Sequence, residues 1–193
     1  MKITTKYLML SSEAMMSFIF ALTSPFVQLH FIKLVSPTIY TISTLLTTIF
    51  CAITQTILKD QKRRIIFKKY LALVMITDVI VMIIVNYFGL NDANIRFLGI
   101  TVLNSFAVVI WITIMSDILN NALSKDKLTD FQVLRQSIGS WATACGGGLA
   151  VLLSYLQVEW IIGAIILQCV GNLVFAICDY NVFKQLQINN IIH

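Results

Sequence analysis

The residues able to do chemistry are few, and they sit where ionised groups are costly. Glu13, Asp78, Asp117 and Arg135 lie in or at the ends of long apolar runs. A charge in a bilayer-spanning segment usually faces protein or a water-filled cavity and marks an ion or substrate path. Asp78, in Met75-Ile76-Thr77-Asp78-Val79-Ile80, falls near the middle of its run, which suits substrate binding or proton coupling. The structural alternative is an Asp that holds helices together by hydrogen bonding. Glu13 is only two turns into its run, within reach of the cytoplasmic interface. Gln28 and Asn104 extend a possible polar path, though such groups also serve as interhelical hydrogen bonds. The sequence offers no nucleophile–base pair, metal-ligand cluster or paired carboxylate, so no enzyme, metal or cofactor is expected. Cys51, Cys145, Cys169 and Cys178 are spread singly through apolar blocks, without a metal or disulfide pattern.

The elements that carry these residues are membrane helices. The chain is 58% hydrophobic and 12% charged, against about 25% charged in soluble proteins. Its apolar blocks approach the roughly 20 residues that cross a bilayer. Six spans are expected, at 7–28, 37–58, 70–88, 95–119, 131–155 and 160–178, followed by a polar tail at 179–193 that is amphipathic or disordered. Pro37 suits the first turn of span 2. Thr129-Asp130 is the expected N-cap of span 5. The expected fold is all-α, a single six-helix membrane domain of two inverted three-helix units, about 7–88 and 89–178.

Orientation follows from charge. Between spans 2 and 3, residues 59–69 hold six Lys/Arg in eleven positions, and such loops stay cytoplasmic. Threading six spans from that loop puts twelve Lys/Arg inside and two, Lys33 and Arg96, outside. Both termini are therefore expected in the cytoplasm, with the plasma membrane as the location. The net charge of +5 is explained by topology and anionic lipid rather than nucleic acid.

Leu58, Asp60, Arg63, Arg64 and Ile66, lying between spans 2 and 3, resemble the loop 2–3 signature of the major facilitator superfamily. Thr56, Gln61 and Arg63 depart from its usual Gly, basic and Gly positions. Ser116-Asp117 ending span 4 and Arg135-Gln136-Ser137 opening a Gly-rich span 5 are similar to the same family. The resemblance covers nearly the whole chain, as the N-terminal six-helix half. It implies a cytoplasmic gating network of Asp60, Arg63, Arg64, Asp117 and Arg135, opposite charges that attract more strongly where water is excluded. The alternative is that these charges only anchor helix ends and fix topology.

In span 5, Gly139, Gly146, Gly147 and Gly148 permit close helix packing or a bend. The glycines look like a degraded form of the glycine-rich motif of antiporters, with its proline missing. The leading expectation is a half-sized transport unit that moves a small solute by alternating access. A homodimer or a separate partner half would complete it. A non-transporting truncated or accessory membrane subunit ranks second, and a substrate-binding subunit of a multi-component uptake system third.

Overall fold

A computed structural model of the chain describes residues 3–60, 62–63, 66, 80, 92–156 and 160–191. Among these, the regular structure is α-helical: α1 (Ile3–Leu34), α2 (Pro37–Leu58), α3 (Ala93–Ala122), α4 (Lys125–Tyr155) and α5 (Ile161–Ile191). Among the described residues, four stretches are long and apolar enough to cross a membrane: Thr5–Leu34, Pro37–Leu58, Lys125–Tyr155 and Ile161–Val182. Within α3, Val108–Asn121 is a shorter apolar helix. The molecule is a membrane-embedded helical protein. The expected span at 70–88 lies outside the described residues except for Ile80, which is helical.

Helix boundaries follow breakers rather than polarity. α1 runs past the expected end at 28 because no breaker appears before Ser36-Pro37, and proline disfavours helix in the residue before it. It also continues beyond Pro25 for more than two turns, although that proline supplies no N–H to the carbonyl of Ala21. α2 begins as the sequence predicts: Pro37 opens it, and the Ser36 hydroxyl accepts the Ile39 N–H at 3.3 Å. The expected polar loop at 120–130 is mostly helix. Thr129 is no N-cap, because Ser124 occupies that position and α4 starts at Lys125. The Thr129 hydroxyl instead donates to the Lys125 carbonyl one turn back. Asp126 in the first turn favours this early start through the helix dipole. The tail from 179 continues α5 as helix to Ile191.

By packing, the chain divides into two compact units, Met1–Gln28 with Ile118–His193, and Leu29–Asp117. This division is independent of the inverted units expected from hydropathy. In the first unit, α1 lies between two helices. α4 runs parallel to it, with Glu13 against Arg135 and Phe18 and Ala21 against Gly146. α5 runs antiparallel, with Thr5 bonded to Gln185, Ile19 against Gly171, and Phe26 edge-on to Trp160 at 5.5 Å. Met9, Leu10, Leu22, Phe131, Ala164, Phe175 and Val182 are buried here. Lipid is as apolar as these side chains, so close packing rather than a hydrophobic drive holds such helices together.

In the second unit, α2 and α3 meet at their N-terminal ends. The Ser36 N–H donates to the Asn94 side-chain oxygen at 3.3 Å. One turn on, Tyr40 stacks on Phe97 with centroids 5.6 Å apart. The two helices leave this joint in the same direction. On α2, the hydroxyls of Thr41, Thr44, Thr48, Thr54 and Thr56 each donate to the carbonyl four residues back. The threonine content of this span is therefore spent largely within its own helix.

Candidate functional site

The strongest polar feature is the pair between Glu13 and Arg135. The guanidinium Nε donates to the Glu13 carboxylate across 122 positions of sequence. Both side chains are largely enclosed, 23% and 21% exposed. Glu13 stands about 10 Å, and Arg135 about 8 Å, along the helix axis from the midpoints of their apolar stretches, at about 1.5 Å per residue. A helix centred in a core about 30 Å thick would hold both inside the hydrocarbon. There each charge needs the other, because an unpaired ion in that environment is costly.

The backbone geometry that brings them together is set by small residues on one face of α4. Arg135, Gly139 and Gly146 lie on the α1-facing side. A Cβ at Gly139 would rest 3.5 Å from the Ser17 hydroxyl, an ordinary contact. At Gly146 a Cβ would stand 2.4 Å from the Phe18 carbonyl oxygen and 3.2 Å from the Ala21 Cβ. That obstacle is backbone, so only glycine fits without moving a helix. Around Gly147 and Gly148 there is open space. α4 runs as helix through all three glycines.

On its other side α1 carries a second polar contact, where the buried Thr5 hydroxyl donates to Gln185. Asp179 on α5 is 3% exposed. Trp160 is half-buried against Phe26, and its indole N–H is enclosed without a hydrogen-bond partner among the described residues.

The residues of the proposed gating network fall as follows. Asp60 and Arg63 pair at 3.6 Å, one turn apart and both more than half exposed. Asp60 also accepts the Lys62 backbone N–H at 3.0 Å. Asp117 is half-buried near the end of α3. Arg135 is engaged by Glu13, a partnership between a proposed gate residue and a proposed substrate residue that the sequence reading did not anticipate. Arg64 and Asp78 lie outside the described residues, as does the side chain of Asn104, whose backbone is in α3. Gln28 is exposed.

Three contributors escaped the sequence reading: Ser17, Gly171 and the Thr5–Gln185 bond. The available signal for the main pair was chemical. An arginine in an apolar span requires an acid at comparable depth, and Glu13 is one of very few. All four cysteines are free thiols, and no cluster of metal-ligating residues occurs among the described residues. Compared with protein-family models, curated proteins and solved structures, the chain matches none of them.

Proposed function

We propose that this chain is a half-sized, major-facilitator-like transport unit that moves a small solute by alternating access. A second copy or a separate half completes it, in the plasma membrane with both termini cytoplasmic. The observation that carries the reading is the Glu13–Arg135 pair, which holds two parallel membrane helices together at a depth where ions persist only for a reason. An ion pair of this kind can exchange its joined arrangement for one in which each charge is solvated separately, which is the kind of two-state contact a rocking unit requires.

The second reading, a non-transporting accessory subunit, draws support from the exposed apolar face of α4, where Trp141 is 73% exposed. The two separate in proteoliposomes. The purified chain, screened against labelled sugars, amino acids and organic cations under a proton gradient, should move at least one class, with Glu13→Gln abolishing flux. Absence of flux together with a stoichiometric co-purifying membrane protein would establish the accessory reading instead.

A further inference from the structure

We propose that the Glu13–Arg135 pair is the seat of a small zwitterion, an α-amino acid whose ammonium binds Glu13 and whose carboxylate binds Arg135. The proposal rests on the transport reading above and names its substrate class. Glu13 on α1 and Arg135 on α4 are in direct contact. Each keeps part of its side chain accessible, so the pair is reachable rather than sealed. A solute that binds here takes the place of that contact.

Charge balance decides what the solute must carry. Parting the pair leaves a carboxylate and a guanidinium in apolar surroundings, where an unpaired ion is heavily penalised. A lone cation satisfies Glu13 and strands Arg135. A lone anion does the reverse, and a neutral solute strands both. A zwitterion answers both groups in one event and leaves the net charge of the site unchanged. Every solute lacking one of the two signs is rejected by the group it leaves bare.

Geometry narrows the class. The two protein charges touch, so the charges of the solute must also sit close together. A single carbon separates them in an α-amino acid, whereas a long ω-amino acid would have to fold back on itself. One turn further along the two helices are Ser17 and Gly139, where a Cβ added to the glycine would stand 3.5 Å from the serine hydroxyl. A solute between the charges meets a hydroxyl and bare backbone there rather than a bulky side chain, which suits free glycine, alanine or serine.

The test measures binding of radiolabelled alanine to the full chain in nanodiscs. Both charges belong to one chain, so binding is read without the half that completes the unit. Propionate, which lacks the ammonium, and ethylamine, which lacks the carboxylate, should compete at least about ten-fold more weakly than alanine, the loss of one charge-assisted contact. Glu13→Gln and Arg135→Gln should each weaken alanine binding by about the same factor. Propionate should become the better competitor in Glu13→Gln and ethylamine in Arg135→Gln, a crossover that mere loss of packing does not produce. The swap Glu13→Arg with Arg135→Glu re-forms the pair and should recover alanine binding, which guards against single variants that fail to fold. Asp179→Asn removes a different buried carboxylate and should leave the preference for alanine intact.

No alanine binding by the native chain, or propionate or ethylamine as strong as alanine, would overturn the proposal. So would propionate binding that grows as pH falls, because the site would then take a proton and an anion. Flux in proteoliposomes keeps the two ideas apart. Alanine binding without flux leaves the ligand class standing and removes the transport reading. Flux of another solute without alanine binding removes the ligand class and leaves transport.

Discussion

Glu13 and Arg135 face one another from parallel helices, each ten residues after the first residue of its own helix, Ile3 and Lys125. Equal depth is what lets both charges be satisfied without either helix sliding. Glu13→Gln or Arg135→Gln should each lower stability substantially, approaching the about 3–5 kcal/mol of a broken buried pair but reduced by the exposed fifth of each side chain. The double variant should recover much of the loss. Denaturant titration of the four proteins of this cycle in one detergent supplies the coupling. A coupling near zero would mean that the pair is solvated and structurally idle.

Two adjacent glycines should respond with opposite signs. Gly146→Ala drives a methyl against the Phe18 carbonyl, part of the α1 backbone, and should separate the two helices. Gly147→Ala meets open space and should stabilise by up to about 1 kcal/mol, the gain in helix propensity. Melting temperatures of the two variants, measured side by side, should move in opposite directions. Gly171→Ala should be milder than Gly146→Ala, because its nearest obstacle at 2.8 Å is the mobile end of the Ile19 side chain.

These contrasts show what could be read from the chain and what could not. Hydropathy located membrane helices, and Ser36-Pro37 marked the start of α2 because a hydroxyl followed by a residue lacking an N–H is a complete local instruction. Thr129-Asp130 misled because capping residues also occur inside helices, where threonine bonds the preceding turn. Gly146, Gly147 and Gly148 look equivalent in sequence. Which one touches Phe18 depends on the rotation of α4 against α1, a tertiary quantity. For the same reason both Glu13 and Arg135 were recognised, but their pairing across 122 positions was not.

The joint between α2 and α3 should be sensitive at Ser36. Ser36→Ala removes the cap on Ile39 and should cost about 1 kcal/mol. Asn94→Ala removes the acceptor for the Ser36 N–H, a backbone group that the first substitution leaves in place. Because both bonds meet at Ser36, the two losses should couple rather than simply add, which a double variant followed by thermal unfolding would reveal. A sub-additive result would mean that losing either group already opens the joint.

Asp60 separates a structural role from a gating one. Its pair with Arg63 is more than half exposed, and its second contact is to a neighbouring backbone N–H. Exposed pairs of this kind contribute about 0–1 kcal/mol. Asp60→Asn should therefore leave the unfolding midpoint nearly unchanged, since an asparagine oxygen can still accept the Lys62 N–H. Under the proposed transport function, Asp60 and Arg63 belong to a cytoplasmic charge network whose job is to bias conformations, not to hold the fold. The same substitution should then lower flux several-fold and shift the accessibility of a cysteine placed at Asn120, exposed near the end of α3. Arg63→Gln should do likewise, and the Asp60→Arg, Arg63→Asp swap should restore part of the flux, because the local pair re-forms with its signs exchanged. Native flux in Asp60→Asn would remove Asp60 from the gate and leave the basic loop as a topology signal alone.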